Sequence, residues 1–192
     1  MSANISTNIL FLHKCFVKGG GIERVHQNLA DAFSEQGIKS SFFVWSGFAE
    51  SEEGFALLQE QHSATRPSET ASFLSKLNAL FATIKSQNIS AIIAATETAN
   101  LVAFFCKVRF PKLRVVYTRH CAFDVSDQKL PPWAIKLLYS LYLVNGNVVG
   151  VSEALKKQIV ASVVWGKNKV HAIPNAVISN KMIELSTRDP NL

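Results

Sequence analysis

The first residues that could do chemistry are the glycines of the segment Gly19-Gly20-Gly21-Ile22-Glu23-Arg24-Val25. An apolar run, Ile9–Leu12, precedes the segment and indicates a buried strand. Apolar residues at helical spacing follow it, and Gly37 is typical of a helix stop. Glycines between a strand and a helix let backbone N–H groups approach a phosphate, which the helix N-terminus also attracts. The segment therefore predicts phosphate binding, with an ordinary strand-to-helix turn as the alternative.

The segment lacks the fingerprints of two common nucleotide-binding motifs. A dinucleotide-binding GxGxxG would need a third glycine where Arg24 stands, and no acidic residue closes the next predicted strand at Trp45. The GxxxxGK[ST] phosphate loop is absent as well. These differences disfavour a nucleotide-binding oxidoreductase, which we keep as a third hypothesis.

His120 is the strongest candidate for acid–base chemistry. It stands at the end of the predicted strand Arg114–Thr118, and an imidazole can donate or accept a proton near neutral pH. A structural or solvent-facing histidine is the alternative. Cys121 could form a Cys/His nucleophile pair with it, but no orienting acid is evident nearby. Glu23 stands at a helix start, where a carboxylate can bind a ligand or only complement the helix dipole; Glu97 has the same two interpretations.

The elements that must position these residues alternate along the chain. Short apolar runs indicate buried strands, and apolar residues at helical spacing indicate helices. Residues 46–67 are weakly periodic and predict a loop with one short strand near residues 61–64. The other predicted strands are 9–12, 38–45, 91–95, 114–118, 147–151 and 170–173, and the predicted helices are 22–33, 69–84, 101–110, 133–144 and 153–162.

This alternation, without hairpin signals, predicts an α/β fold with a doubly wound parallel sheet of the Rossmann type. In such a sheet, ligands bind beyond the carboxyl ends of the strands. We therefore expect the residues that follow each strand to share one edge, although Ser152 is most simply a helix cap. These residues are Gly19–Gly21, Thr96-Glu97, Arg119-His120, Ser152-Glu153 and Asn175.

Length and charge narrow the class of protein. The 192 residues are 48% apolar, which predicts one domain with a full core. The first hundred residues carry a net charge of −2 and the remainder +8. A basic surface on the second half could face anionic lipid or phosphorylated ligands, or it could simply be solvated. Nucleic acid is disfavoured, because no binding module or arginine-rich run accompanies the charge.

The cysteines, the N-terminus and the longest apolar region indicate the cellular compartment of the protein. Cys15, Cys106 and Cys121 are odd in number and widely spaced, which favours a reducing environment and disfavours a zinc site. The other histidines also lack metal-ligand spacing. The N-terminus has no signal-peptide pattern, and the longest apolar region, Trp133–Val144, is too short to span a bilayer. The sequence thus predicts a cytoplasmic protein without a metal site.

Four segments, in this order and spacing, resemble the acceptor-side N-terminal domain of retaining, family-4-type glycosyltransferases of the GT-B fold. They are Gly19–Ala30, Val115–His120, Val148–Leu155 and Val170–Val177. The resemblance covers nearly the whole chain. It implies two facing Rossmann-like domains with an active site in the cleft between them.

The resemblance also implies roles for particular residues. Gly20 and Gly21 would approach the diphosphate and sugar of the donor. His120 would lie beside the transferring sugar as the catalytic-site residue, and Glu23 and Arg119 would border the acceptor. The implied partners are a nucleotide-diphosphate sugar and a glycan or lipid-linked acceptor, with no metal or other cofactor.

The same resemblance sets the expected domain boundaries. Residues 1–178 would form the N-terminal domain, and residues 179–192 would be a linker toward a donor-binding domain that the sequence does not contain. Asn175 would mark the hinge, although the family usually has glycine where Ala176 stands, so the turn is less free to adopt a positive φ. We expect the chain alone to be inactive, because the absent domain would carry the nucleotide site.

The leading hypothesis is therefore half of a glycosyltransferase for polysaccharide or glycolipid (lipopolysaccharide-type) synthesis at the cytoplasmic membrane face. A non-catalytic module that binds glycan or lipid for a partner subunit is the alternative. Residues 101–119 interleave phenylalanine and valine with basic side chains, so we expect this segment to lie peripherally on anionic lipid. Packing of its apolar side chains against the sheet is the other interpretation.

Overall fold

The computed structural model describes residues 7–122 and 131–175, which form one seven-stranded parallel sheet flanked by helices. The strands are β1 (Asn8–His13), β2 (Lys39–Val44), β3 (Ala64–Thr65), β4 (Ile89–Ala94), β5 (Arg114–Arg119), β6 (Asn147–Gly150) and β7 (Val170–Ala172). The helices are α1 (Gly21–Glu35), α2 (Glu52–Gln61), α3 (Phe73–Ser86), α4 (Glu97–Arg109), α5 (Pro132–Asn145) and α6 (Glu153–Ser162).

The strand order is β3-β2-β1-β4-β5-β6-β7, so the direction of winding reverses at β1. Right-handed crossovers place α1 and α2 on one face of this order and α3 to α6 on the other. Two apolar clusters follow this division. Phe11 of β1 belongs to the cluster under α1 and α2, and Leu12 to the cluster under α3 to α6. The predicted doubly wound, Rossmann-like sheet is confirmed.

Strand β1 is the centre of the sheet, between β2 and β4. Leu10, Phe11 and Leu12 are completely buried, because helices cover both faces of the strand. The Phe11 ring stacks on Phe42 of β2 with 4.9 Å between ring centroids. The continuous apolar run that predicted this strand is therefore explained by burial on both sides.

The prediction of a loop over residues 46–67 is wrong, because this region contains α2, but the short strand expected near residues 61–64 is present as β3. The helix buries only two large apolar side chains, Phe55 and Leu58, which is too narrow a stripe to be recognised by periodicity. Gly54 provides a further contact: a Cβ there would lie 2.5 Å from the backbone nitrogen of Lys18. A residue that normally disfavours a helix thus lets α2 pack closely on the chain entering the glycine-rich segment.

Helices α3 and α4 begin at positions that differ from the predicted ones, because a polar capping residue determines where each helix begins. Helix α4 begins earlier than predicted, with the Thr96 side chain accepting a backbone N–H of the first turn. Helix α3 begins later, at Phe73, where Ser72 has the same role. Ser152 caps α6 as predicted. The apolar pattern missed the first turn of α4 because that turn is polar.

The segment 101–119 does not lie on the surface as a unit. Its second part is β5, an interior strand of the sheet in which Tyr117 is completely buried. On α4, Val102 and Cys106 are buried, whereas Phe105 and Val108 are exposed. Only one side of α4 is therefore open to a partner, and the strand belongs to the core.

The predicted boundary between residues 1–178 and the linker 179–192 lies outside the described residues. Among the helices that the structure describes, none has both the length and the apolar character needed to cross a bilayer.

Candidate functional site

The glycine-rich segment joins β1 to α1 at the carboxyl edge of the sheet. Gly19 has a φ of +73°, which glycine adopts without strain. Gly20 is the N-cap of α1 and Gly21 its first residue, and no side chain caps this first turn. The N–H groups of the turn therefore have no helical or side-chain cap partner there. Because Gly21 is also exposed and a Cβ there would meet nothing within 4 Å, the Gly21 side of the turn is open to a diphosphate, next to the Glu23 carboxylate that lies against Gly20.

Glu23 holds the segment from inside the first turn of α1. Its Oε1 accepts a hydrogen bond from the backbone N–H of Val17 at 3.3 Å. Its Oε2 lies against Gly20, where an added Cβ would be 2.1 Å away. The carboxylate also lies at the positive end of the helix dipole. Glu23 therefore fixes the shape of the loop; its contact with an acceptor stays a prediction.

His120 follows β5 at the same edge and is half-buried. Its Nε2 lies 2.9 Å from the hydroxyl oxygen of Thr118. Its Nδ1 is buried, and no described residue gives it a hydrogen-bond partner. Burial lowers the pKa of His120 to about 4, so the ring is neutral near pH 7. Because Nε2 faces Thr118 and Nδ1 has no described partner, the Cys/His pair with Cys121 is not formed.

Two further histidines, which sequence reasoning did not connect with the site, lie beside His120. His13 ends β1 and His26 lies on α1, and both are buried. Nε2 of His13 is 2.9 Å from Nδ1 of His26, and the His26 and His120 ring centroids are 6.1 Å apart. The position of His13 at a strand end was the available signal.

The three rings form a neutral cluster. Burial, with a smaller contribution from His120, lowers the pKa of His13 to about 3. Burial and then the two neighbouring histidines lower the pKa of His26. In the part of the chain that the structure describes, no group of three or more His, Cys, Asp or Glu side chains is arranged to hold a metal ion.

Arg119 points to the opposite face of the sheet from His120, because side chains alternate along a strand. The guanidinium is 1% exposed and pairs with Glu97 at the start of α4. Tyr139 of α5 donates its hydroxyl to the same Glu97 oxygen at 2.6 Å. The expected contact of Arg119 with an acceptor is therefore corrected for this conformation: the side chain joins β5 to α4 and α5.

The remaining expected residues lie at the same edge with simpler roles. Ser152 accepts the backbone N–H of Leu155 at 3.1 Å, as a helix cap does. Asn175 is exposed and follows β7, and its role as a hinge stays a prediction.

Grooves also open at the opposite, amino edge of the sheet. One is lined by Asn8, Ser41 and Gln87 among others. Their polar groups bond one another, with Asn8 Nδ2 donating to the Gln87 carbonyl and the Ser41 hydroxyl donating to Gln87 Oε1, each at 2.7 Å. These polar side chains therefore already bond within the protein. The groove also lies at the opposite edge of the sheet from the carboxyl ends of the strands, where ligands of such sheets bind.

A Rossmann-like sheet with a glycine-rich helix start and a histidine after β5 is the type of domain found in the N-terminal half of GT-B glycosyltransferases. The family model of Glycosyltransferase Family 4 matches residues 19–181, so the chain belongs to this family. A comparison with curated protein sequences found no match.

Solved structures of glycosyltransferases share the fold. HepE from Anabaena, in complex with UDP and glucose, is 18% identical with a TM-score of 0.69, covering 95% of this chain and 47% of its own. A glycosyltransferase from Rickettsia africae is 15% identical with a TM-score of 0.71, covering 97% and 47%. The lipopolysaccharide outer core galactosyltransferase WaaB is 17% identical with a TM-score of 0.62, covering 85% and 44%. The chain thus spans about half the length of these proteins.

Proposed function

We propose that this chain is the acceptor-side half of a retaining glycosyltransferase. The enzyme transfers a sugar from a nucleotide-diphosphate donor to a glycan or lipid-linked acceptor. The donor diphosphate lies at the N-terminus of α1, where Gly20 and Gly21 let it approach the backbone. The transferring sugar lies beside His120, and Glu23 borders the acceptor. The nucleotide is held mainly by a second domain, toward which Asn175 leads.

One observation carries the proposal: the uncapped start of α1 and His120 lie at the same edge of the sheet. The chain that forms this sheet belongs to the glycosyltransferase family. HepE, which has the same fold, has been solved with UDP-glucose, and this supports a nucleotide-diphosphate sugar as the donor class. Fixed N–H groups at a helix start stabilise negative charge that develops on a leaving diphosphate. The neutral His120 ring can hydrogen-bond a sugar without adding charge.

A Gly21→Ala variant tests where the donor binds. A Cβ at this position meets nothing within 4 Å, so folding should be unaffected or stabilised by up to about 1 kcal/mol. The methyl group would nevertheless occupy the space that the diphosphate needs. We expect UDP-glucose and inorganic pyrophosphate to shift the backbone amide NMR signals of residues 19–24. Binding to the variant should be roughly tenfold weaker, about 1.4 kcal/mol.

Ser34→Ala, at the other end of α1, is the matched control and should bind like the unmodified chain. If neither ligand shifts the signals of residues 19–24, or if Gly21→Ala binds equally well, the diphosphate does not lie at this helix start.

We also propose that the acceptor is met at an anionic membrane, at its cytoplasmic face. Apart from Phe48 and Ile173, the large apolar side chains exposed in the described part of the chain lie on α3 to α6 or just after α6. The longest row is on one side of α5, and we name it the α5 face: Trp133, Leu137, Leu141 and Val144.

Charge makes lipid a better partner for the α5 face than a second copy of the chain. Lys136, Lys157 and Lys167 are exposed on α5, on α6 and after α6, and α5 carries no acidic residue. Each basic residue near an anionic surface contributes about 1 kcal/mol. A symmetric dimer through this face would bring lysines close to lysines. Trp165, whose indole N–H donates to the Ser140 carbonyl at 2.8 Å, adds an aromatic ring of the kind found at membrane interfaces.

Liposome sedimentation tests this part of the proposal. The chain should bind vesicles rich in phosphatidylglycerol, and bind them less at high salt, whereas neutral phosphatidylcholine vesicles should retain little. The double variant Trp133→Glu, Leu137→Glu should weaken binding at least about tenfold, because two exposed apolar anchors are lost and two negative charges are added. Phe48→Glu, an exposed apolar position away from α5, is the control. Equal binding by both variants would exclude the α5 face as the contact.

A further inference from the structure

The side chain of Thr118 controls which nitrogen of His120 carries the proton. Thr118 is buried, and its hydroxyl oxygen lies 2.5 Å from the carbonyl oxygen of Ala94 on the neighbouring strand β4. A carbonyl only accepts hydrogen bonds, and a hydroxyl has one proton to give. The Thr118 proton must therefore point to Ala94, since two oxygens this close without a proton between them would repel.

This leaves the Thr118 oxygen as an acceptor toward His120. Nε2 of His120 lies 2.9 Å from that oxygen, so Nε2 must supply the proton of this second hydrogen bond. A neutral imidazole has one N–H group. Nδ1 consequently carries a lone pair and can only accept. It is also the ring nitrogen for which no described residue supplies a partner.

We propose that Thr118 is a positioning residue that fixes the Nε2–H tautomer of His120, which leaves Nδ1, buried in this structure, as an acceptor that a hydroxyl group of the sugar reaches when the ligand binds. A phosphate or carbonyl oxygen has no proton for Nδ1 and would not be bound there. The tautomer follows from the protein's own contacts, and only the identification of the hydroxyl group as one of a sugar rests on the proposed function.

The tautomer also limits what His120 can do. Nε2 is engaged with Thr118 inside the protein, so it is not available to take a proton from a ligand. An isolated Nδ1 acceptor at the strand edge selects ligands by their hydroxyl groups. His120 therefore contributes recognition through one hydrogen bond at Nδ1.

NMR of the chain with ¹⁵N-labelled histidine tests the tautomer directly. At pH 7.5, two-bond and three-bond ¹H–¹⁵N correlations distinguish a protonated ring nitrogen from one that bears a lone pair. A His120→Gln variant identifies the His120 signals among those of the five histidines. We expect the Nε2–H form in at least roughly fivefold excess, as a hydrogen bond of typical net strength gives.

Variants then separate positioning from simple support of the fold. Thr118→Val removes the acceptor and should lower the excess toward the ratio of a free imidazole, whereas Thr118→Ser keeps the hydroxyl and should retain it. Thr83→Val makes the same change on α3, where the hydroxyl donates to the Ala79 carbonyl, and should leave the His120 signals unchanged. An Nδ1–H form in the unmodified chain, or an unaltered tautomer in folded Thr118→Val, would overturn the inference.

If Thr118→Val does not fold, the unmodified chain and Thr118→Ser still decide the tautomer. Addition of UDP-glucose addresses the ligand. A shift of Nδ1 alone supports the hydroxyl contact. A confirmed Nε2–H tautomer without any ligand shift would leave Thr118 in its positioning role and contradict the proposed sugar site instead.

Discussion

Replacing Glu97 by alanine should destabilise the fold far more than removing an acidic partner at the surface. Glu97 is the carboxylate that pairs with Arg119, and it also accepts the hydroxyl of Tyr139. The Arg119 guanidinium is 1% exposed, so alanine at position 97 removes a carboxylate that directly pairs with a buried cation. Removing one partner of a buried ion pair costs about 3–5 kcal/mol.

For Glu97→Ala we expect the loss of stability to fall near the lower end of the range for buried ion pairs. The Glu97 side chain is 30% exposed, so water can partly replace the carboxylate. We expect a loss of about 3 kcal/mol in the free energy of unfolding. Glu53→Ala is the matched control, because its pair with Lys18 has side chains 67% and 57% exposed. Exposed pairs contribute about 0–1 kcal/mol.

Urea unfolding followed by circular dichroism measures both variants. The midpoint should fall clearly for Glu97→Ala and hardly move for Glu53→Ala, with the slope of the transition unchanged in both. Losses that agree within about 1 kcal/mol between the two variants would refute the role of Arg119 as a buried cation that depends on Glu97.

Three further outcomes are expected. Because the pKa values of His13 and His26 lie below the ordinary 6.5, the unfolded chain binds more protons, so stability should fall as pH drops below about 6.5, by up to about 1.4 kcal/mol per pH unit for each ring. Urea midpoints from pH 8 to pH 5 measure this, and a flat profile would contradict it. Gly54→Ala should cost about 1–3 kcal/mol by overpacking against the backbone before the glycine-rich segment, with Gly21→Ala as the tolerated comparison in thermal unfolding. Calorimetry should give the chain alone an affinity for uridine or guanosine diphosphate sugars weaker than about 10 μM, roughly −7 kcal/mol, and tighter binding would mean that no second domain is needed to hold the donor.

Most of the strands were predictable because burial on both faces leaves long apolar runs, whereas their order in the sheet was not predicted. The run containing Leu10, Phe11 and Leu12 is the clearest case. Helix α2 was not predictable in the same way, since its packing depends on Gly54, which sequence patterns associate with turns. Gly54 contacts the backbone of residues 16–18, which are far from it in sequence, so no local pattern predicts this contact.

The sequence predicted that the site lies at the carboxyl edge of the sheet, but it did not predict the side-chain contacts within the site. Parallel strands bring the glycine-rich segment, Glu97 and His120 to one side by topology alone. Which way each side chain points depends on strand alternation, and this placed the Arg119 side chain on the face of the sheet opposite to His120. The contact of His120 with His26 joins a strand end to a helix far away in sequence, and no periodic pattern encodes it.

A crystal structure of the chain with UDP-glucose tests the central claim most directly. The account predicts the diphosphate at the start of α1, with the Gly21 amide within hydrogen-bonding distance, and a hydroxyl group of glucose at Nδ1 of His120. A donor bound instead in the groove beside Gln87 at the amino edge, or a diphosphate that does not touch the start of α1, would contradict it.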